Sequence, residues 1–528
     1  MDLIHLLYLI AMLAPVGLML IAVLVMRPGM SGTGTNLMWR RFSVLSVGAL
    51  LCAGAALALQ AGGLAGEAGT GVLLPWLRSS QTGSALAILV QLLGTVIGAF
   101  SARYLQGEPG QQRYITALAG VLASVHLLLL ANHWLVLITA WALVGVALQP
   151  LLCFYPDRPF ALLAAHKKRI ADRMADVLLL VAAVLAWQEV GSGSLTDLWQ
   201  HLATHDTSIA LQISALCLVL AVVLRTALLP VHGWLTQVME APTPVSALLH
   251  AGVVNLGGYV LIRFAPLLEA SLLARIVLVG FGLATALLAG LVMLTRVSIK
   301  VRLAWSTVAQ MGFMVLQCGL GLYTLAALHL IGHSLYKAHT FLSASTAVRD
   351  SKIQMMHLRL TPSVSSLIAA PFLTIVLIVL VQALAGTSWP WWWSGVLALA
   401  WAPVLWLPAS GDAQIFGWRA FAGIGMVTGF TALASLVHAL PLGVEDSPYH
   451  QAGVVALIGM ALMYACLGAL QVRPQGQSIW RRWSYAGFYV DEIYTRLTLR
   501  YWPIRWNPMP IKSDDSARKS TITKTVSR

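Results

Sequence analysis

Long apolar stretches dominate the chain, and short polar segments separate them. A membrane-spanning helix requires about 20 mostly apolar residues. Fifteen stretches reach or approach this length, at 4–26, 42–61, 84–104, 114–131, 133–153, 174–190, 209–229, 243–263, 273–294, 300–317, 322–342, 363–385, 392–408, 419–440 and 452–471. The apolar runs are continuous rather than alternating, which favours helices over a membrane barrel. The pattern predicts an all-α, polytopic membrane helix bundle of about 15 transmembrane helices.

One of these stretches contains a helix-breaking sequence. The span 209–229 ends in Arg225-Thr-Ala-Leu-Leu-Pro230, and a proline leaves a backbone carbonyl without its helical partner. Broken helices in transporters tend to line the ion path. We therefore predict a broken helix near Pro230. The sequence leaves open whether Arg225 faces such a path or extends to the cytoplasmic surface.

The composition agrees with a membrane protein. Of the 528 residues, 59% are hydrophobic and 10% are charged, whereas globular proteins are about 45–50% apolar and about 25% charged. So few charges cannot cover a soluble fold of this size. A disordered chain is also excluded, because disorder requires low hydrophobicity. The five cysteines are scattered in apolar segments without metal-binding spacing, so they are predicted to be packing residues. We expect no cofactor in this chain.

The distribution of positive charge predicts the topology. The chain has 33 Lys and Arg against 19 Asp and Glu, a net charge of +14. With fifteen alternating spans, 28 of the 33 cations fall on one side, and eleven of these follow residue 472. The positive-inside rule makes this side cytoplasmic. We expect a multi-pass protein of the bacterial inner membrane with a periplasmic N-terminus and a cytoplasmic C-terminus.

The span 322–342 contains three ionisable residues in register. His329, His333 and Lys337 follow one another at intervals of four, so they occupy an arc of about 80° on one helix face. A charge in mid-membrane costs at least about 2.5–3.5 kcal/mol, which makes such a row a candidate proton path. The alternatives are core polar groups bonded to neighbouring helices, and a metal site. No carboxylate or thiol accompanies the histidines to complete a metal site.

Further polar residues lie close to the same spans. His250 is about two turns into 243–263, where it is either part of the path or a satisfied core group. Lys300 opens the span 300–317 and faces either the interior or the cytoplasm. The supporting polar residues are Arg173, Asp176, His232 and Glu240. We expect Arg173 and Asp176 to form an ion pair, and Glu240 to favour a helix dipole.

Three segments resemble the antiporter-like proton-conducting subunits of respiratory complex I and of multisubunit (Mrp-type) cation/proton antiporters. They are Leu229-Pro-Val-His-Gly-Trp-Leu followed by Met239-Glu-Ala-Pro-Thr-Pro-Val-Ser-Ala-Leu-Leu-His250, Lys300-Val-Arg-Leu-Ala-Trp-Ser-Thr-Val-Ala-Gln-Met-Gly312, and His329-Leu-Ile-Gly-His-Ser-Leu-Tyr-Lys337-Ala-His-Thr-Phe-Leu342. The resemblance covers about residues 95–345 and implies a bundle with discontinuous helices. It implies a central proton path formed by His250, Lys300, His329, His333 and Lys337, with Arg225 on the broken helix.

The chain departs from this family at two places. Members usually carry a glutamate in a Trp-Glu motif on the fifth helix, paired with a lysine on the broken seventh. The matching positions here are Trp141-Ala142 and Arg225, and arginine does not release its proton. The spans within 363–471 contain no lysine, although the family has a buried lysine on a second broken helix there. A switch of the complex I type is therefore not expected.

The C-terminal segment resembles a narrower family. Ala486-Gly-Phe-Tyr-Val-Asp-Glu-Ile-Tyr-Thr-Arg496 and Arg500-Tyr-Trp-Pro503 are similar to the membrane subunits of DAB complexes, which accumulate dissolved inorganic carbon. The resemblance implies that protons, or Na+, run down their gradient through this chain. Their energy would drive hydration of CO2 to bicarbonate in a large cytoplasmic DabA-like partner, which holds zinc and is related to β-carbonic anhydrases.

Basic and aromatic residues are interleaved in the tail, residues 472–528. This composition suits a surface for docking a partner or for anchoring in lipid headgroups. The predicted docking residues are Tyr485, Phe488, Tyr489, Asp491, Glu492, Tyr494 and Arg496.

The sequence thus predicts four segments and one leading function. The segments are N-terminal helices (1–95), an antiporter-like core (96–345), C-terminal helices (346–471) and the tail (472–528). The leading function is a non-enzymatic, energy-coupling membrane subunit of an inorganic-carbon accumulation complex. The alternatives are a proton-pumping or antiporter subunit of a complex I-like or Mrp-type complex, and a non-conducting membrane anchor.

Overall fold

A computed structural model describes residues 3–26, 34–63, 75–344, 361–409, 413–438, 443–472 and 478–504. The regular elements within these ranges are all helices. The first eleven are α1 (Leu3–Val25), α2 (Thr35–Ala61), α3 (Gln81–Tyr104), α4 (Gln111–Leu130), α5 (Trp134–Leu152), α6 (Pro159–Val190), α7 (Leu195–Thr204), α8 (Ile209–Arg225), α9 (Gly233–Gln237), α10 (Thr243–Ala251) and α11 (Leu256–Arg263). The others are α12 (Ala265–Glu269), α13 (Leu272–Leu294), α14 (Ile299–Gly319), α15 (Tyr323–Leu342), α16 (Val364–Ala385), α17 (Trp391–Trp401), α18 (Ala413–His438), α19 (His450–Val472), α20 (Ser478–Tyr485) and α21 (Val490–Tyr501).

The predicted polytopic helix bundle is confirmed. In the described ranges, ten helices are long and apolar enough to cross a membrane. Two shorter apolar segments, Ile209–Arg225 and Trp391–Leu405, coincide with two further predicted spans. The remaining three predicted spans coincide with α6, α14 and α15, which contain more polar residues. Each predicted span therefore has a helical counterpart.

The sixth span begins earlier than the hydropathy pattern indicates. The predicted start is residue 174, but α6 begins at Pro159 and contains 32 residues. Its length is about 48 Å, which exceeds the hydrocarbon core of a bilayer, about 30 Å. The first turns contain Lys167 and Lys168, which hydropathy places outside the membrane, yet both side chains are buried by the protein itself.

Two of the spans are interrupted. The predicted break near Pro230 is confirmed, because α8 ends at Arg225 and the next helical turn begins at Gly233. A second break, which the sequence analysis did not predict, divides the span 243–263 at Gly252–Asn255. Gly252-Val-Val-Asn255 is mostly apolar, so hydropathy cannot distinguish it from a continuous helix.

The interrupted span lies at the centre of the bundle. In the most apolar part of this span, 94% of the residues are buried inside the protein. The corresponding share is 28% in α1 and 17% in α19. Polar residues on α10 and α11 therefore face protein rather than lipid. Nearby, α13 and α14 approach closely because Gly282 and Gly312 face each other. A methyl group on either would lie 2.6 Å from a backbone nitrogen of the opposite helix.

Candidate functional site

The three residues in register on α15 form a polar stripe inside the bundle. His333 and Lys337 are buried and His329 is half-buried. The ring centroids of His329 and His333 are 6.0 Å apart. The spacing that the sequence indicated therefore places all three groups on one continuous face.

Helix α14 supplies hydrogen-bond partners at both ends of this stripe. The Lys337 ammonium donates to the Leu303 carbonyl at 3.0 Å and to the Ser306 hydroxyl. Nδ1 of His329 lies 2.8 Å from Oε1 of Gln317. Ser306 and Gln317 were not among the predicted site residues, because a polar residue on a neighbouring helix carries no sequence sign of its partner.

His250 joins the stripe from α10. Its ring is fully buried and stacks on Phe341 with centroids 4.6 Å apart. Within the described ranges, neither ring nitrogen of His250 or His333 has a hydrogen-bond partner. His333 lies close enough to His250, His329 and Lys337 for their charges to act on it. Buried polar atoms without partners are rare in proteins, so these two rings are candidates for groups that exchange protons.

The second helix break contacts the same stripe. The side-chain nitrogen of Asn255 donates to Ser334 at 2.7 Å and to the Ala251 carbonyl at 2.9 Å. Ser334 is the neighbour of His333 on α15. Asn255 and Ser334 were not among the predicted site residues, although an asparagine three residues after Gly252 in an apolar stretch was an available sign.

Lys300 lies apart from the stripe, at the end of the bundle that also carries Lys167 and Arg296 (the basic end). The Lys300 ammonium is half-buried and donates to the Thr243 hydroxyl at 2.7 Å. This bond joins the first turns of α14 and α10. The sequence left open whether Lys300 faces the interior or the cytoplasm. Lys300 lies at the boundary of the bundle interior, between these two positions.

Arg225 forms a second buried site. Its side chain is 4% exposed and pairs with the Asp176 carboxylate of α6. The guanidinium also lies over the Trp141 ring, 4.7 Å from its centroid. Arg225 therefore does not extend to the surface. The predicted pair of Arg173 and Asp176 is present at 3.4 Å, but Arg173 is 67% exposed, so Arg225 is the main partner of Asp176.

Carboxylates of α6 occupy the space near the missing glutamate of α5. Lys168 pairs with Asp172. A methyl group at Gly145, one turn after Ala142, would lie 2.8 Å from an Asp172 oxygen. Two carboxylates, Asp172 and Asp176, thus approach the Trp141 face from the neighbouring helix.

The segment after the first break contains the other supporting residues. Ala227 adopts a left-handed conformation with φ 55°, which costs a non-glycine residue roughly 1–2 kcal/mol. His232 is fully buried, and its ring centroid lies 4.8 Å from that of Trp305. Glu240 accepts hydrogen bonds from the backbone of Phe160 and Ala161 at 3.2 and 3.3 Å. Glu240 therefore caps the first turn of α6.

The C-terminal tail folds back onto the basic end. Asp491 of α21 pairs with the buried Lys167 at 2.6 Å, and Lys167 also donates to Thr495 at 2.7 Å and to Gln237 at 3.2 Å. The side-chain nitrogen of Gln237 donates to Asp491 at 2.7 Å. One carboxylate thus joins α6, α9 and the tail. We call these four residues the tail clamp.

The predicted docking residues divide into two groups. Tyr485, Tyr489, Glu492 and Arg496 are exposed, whereas Phe488, Asp491 and Tyr494 are only partly exposed. Phe488 packs against the main hydrophobic core, and the Tyr494 hydroxyl donates to the Lys167 carbonyl at 3.3 Å. Burial raises the pKa of Tyr494 to about 12, so its hydroxyl stays protonated and available as a donor. Residues 505–528 lie outside the described ranges.

The described residues contain no group of three or more His, Cys, Asp or Glu side chains that could hold a metal ion.

Comparison with known proteins places this geometry in a family. Residues 131–394 match the transmembrane family model of NADH:quinone oxidoreductase/Mrp antiporter proteins. The chain is 38% identical over 440 residues to the probable inorganic carbon transporter subunit DabB of Hydrogenovibrio crunogenus, a match that covers 81% of this chain and 84% of that protein. The chain belongs to the DabB family. A second relative, the probable subunit DabB2 of Halothiobacillus neapolitanus, is 46% identical over 302 residues, which cover 56% of this chain and 54% of that protein.

The DabB assignment agrees with the antiporter-like fold. A solved structure, the Mrp complex from Dietzia sp., matches 98% of this chain and 59% of that chain with a TM-score of 0.55 and 19% identity. This similarity concerns the fold alone. The predicted membership in the antiporter-like family and in its DabB branch is confirmed. The chain is a membrane subunit of the inorganic carbon transporter type.

Proposed function

We propose that this DabB-family chain conducts protons, or Na+, down their gradient and thereby drives CO2 hydration in a cytoplasmic, zinc-containing DabA-like partner. The chain itself would be the transporter subunit, and the partner would carry the carbonic-anhydrase-like chemistry. The N-terminus would be periplasmic and the C-terminus cytoplasmic, which makes the basic end the cytoplasmic end.

The polar stripe on α15 is the observation that carries this proposal. Four titratable groups, His250, His329, His333 and Lys337, lie together inside the bundle, His329 half-buried and the other three buried. Keeping them there costs several kcal/mol, and two of the rings have no fixed hydrogen-bond partner in the described chain. A non-conducting anchor has no use for such groups.

The pair of Arg225 and Asp176 supports a modified mechanism at the broken helix. The positive charge is permanent, so this site cannot release a proton. It can instead set the electrostatic field near Trp141. This field would change when Asp176 moves relative to Arg225. We assign it a positioning role beside the path.

Replacing Lys337 with alanine tests conduction. The purified full-length chain, with any partner that co-purifies, is reconstituted in vesicles, and proton flux under an imposed pH gradient is followed with an internal pH dye. General acid–base groups contribute about 10²–10⁴-fold to the steps they serve, so we expect at least a hundredfold loss of flux in Lys337→Ala.

His339→Gln is the matched control, because His339 lies on the exposed face of the same helix. It should conduct like the wild type. Normal flux in a well-folded Lys337→Ala variant would remove the stripe from the path. Flux that requires Na+ on one side would replace protons by Na+ as the conducted ion.

A further inference from the structure

A small cavity lies between the tail and the basic end of the bundle. Its volume is about 160 Å³, which is room for roughly five water molecules at their volume in the liquid. Its lining consists of Thr236, Arg296, Val301 and Trp305 from the bundle and Ala486, Gly487, Asp491 and Glu492 from the tail. The cavity therefore exists because the tail folds back, and the tail clamp holds it closed on one side.

The cavity is polar and carries two carboxylates. Asp491 belongs to the tail clamp, whereas Glu492 is exposed and makes no ion pair within the described chain. The Arg296 guanidinium is held against the aromatic wall, 5.3 Å from the Trp305 ring centroid and 5.8 Å from that of Tyr485. Glu492 is therefore the carboxylate of the lining that is not committed to an ion pair within the described chain.

A buried histidine lies directly behind this wall. The His232 ring packs on Trp305, which lines the cavity, and the charge of Asp491 acts on it. One side of the ring faces the Pro230 carbonyl without regular hydrogen-bond geometry, and neither nitrogen has a partner among the described residues. An imidazole of this kind can accept a proton on one nitrogen and release one from the other.

We propose that the tail and the bundle together form the water-filled vestibule at the cytoplasmic end of the ion path, with His232 as its inner relay and Glu492 as its outer acceptor. A proton leaving the bundle binds one ring nitrogen of His232. Because Trp305 separates this ring from the cavity, a movement of Trp305 then lets the other nitrogen give its proton to water in the cavity. That water passes a proton to the Glu492 carboxylate, which releases it to the bulk. This inference rests on the proposed proton conduction. The tail would then be part of the ion path as well as a docking surface for a partner.

The test measures proton flux through the full-length chain in vesicles, in sodium-free choline buffer, so that only protons report. A carboxylate at the mouth of a cavity raises the local cation concentration and exchange rate by about 10-fold or more. We expect Glu492→Gln to slow the flux about 10-fold at low ionic strength. The difference should shrink at high salt, because screening weakens the attraction of the Glu492 charge for protons in the wild type as well. A merely structural role would not depend on salt in this way.

A reversible block provides a second measurement. Thr236 lines the cavity, so a Thr236→Cys variant, in a background without the native cysteines, is treated with an anionic methanethiosulfonate. Modification should stop the flux, and a reducing agent should restore it. The matched controls are Glu108→Gln and Glu108→Cys, since Glu108 is an exposed carboxylate at the same end of the bundle, outside the cavity.

The outcomes separate this inference from the proposed function. Normal flux in Glu492→Gln at low salt, or in the modified Thr236→Cys variant, overturns the vestibule while the conducting wild type keeps the proposed function. A wild-type chain that conducts no protons overturns both.

Discussion

At the scale of single residues, the pair of Arg225 and Asp176 is the most sensitive feature. Removing one partner of a buried ion pair leaves an uncompensated charge and costs about 3–5 kcal/mol. We therefore expect Asp176→Asn to lower the thermal unfolding midpoint in detergent clearly. The double variant Asp176→Leu with Arg225→Met should be close to the wild type in stability, because neither charge remains.

The exposed cation Arg173 provides the control for these variants. Arg173→Met removes the exposed cation near the same carboxylate and should change the midpoint little, because exposed pairs contribute about 0–1 kcal/mol. Equal destabilisation by Arg173→Met and by Asp176→Asn would contradict the assignment of Arg225 as the main partner. In the double variant, proton flux would report separately whether the pair positions the path.

At the scale of elements, the position of the tail depends on one glycine. Gly233 opens α9, and a methyl group there would overlap the Asp491 carboxylate. We expect Gly233→Ala to displace α21 from the tail clamp without removing any charge. A loss of about 1.4 kcal/mol in docking already raises the open population about tenfold, so limited trypsin digestion at the tail arginines should accelerate by about that factor.

Gly54→Ala is the matched control for this variant, since nothing lies within 4 Å of the position where its methyl group would be. Its tail should be cut at the wild-type rate. A Gly233→Ala tail that is as resistant as the wild type would show that α21 is held by other contacts than the clamp.

At the scale of the whole molecule, the exposed side of the tail predicts a partner. Tyr485 and Tyr489 are 65% and 53% exposed on a tail whose opposite side is fixed to the bundle. We expect affinity purification of the tagged chain to recover a large zinc-containing protein in near-stoichiometric amount. The paired variant Tyr485→Ser with Tyr489→Ser should lose it.

Control substitutions at exposed aromatics elsewhere, such as Trp418→Ser, should retain the partner. Recovery of quinone-oxidoreductase subunits instead would favour the complex I-like alternative. Retention of the partner by the double tyrosine variant would place the docking surface elsewhere.

The sequence predicted what is encoded locally. The spacing of His329, His333 and Lys337 determines their common face, because helix geometry alone decides it. Pro230 predicted the first break, because a proline removes a backbone hydrogen bond of the helix. The pairs of Arg225 with Asp176 and of Lys167 with Asp491 join residues 49 and 324 positions apart. Such contacts form only when distant parts of the chain pack together, so local sequence patterns do not predict them. The break at Gly252–Asn255 was also missed, since the segment is mostly apolar and hydropathy does not distinguish it from a continuous helix.

The permanent charge of Arg225 has a consequence for the speed of transport. A chain of titrating groups can pass protons as fast as each hop allows, but a guanidinium carries its charge through the whole cycle. If the field at the broken helix is to alternate, Arg225 or its carboxylates must be displaced, and collective helix motions take microseconds to milliseconds. Turnover would then be limited to about 10³–10⁶ events per second. The protein should therefore show the saturating kinetics of a carrier rather than the conductance of an open channel.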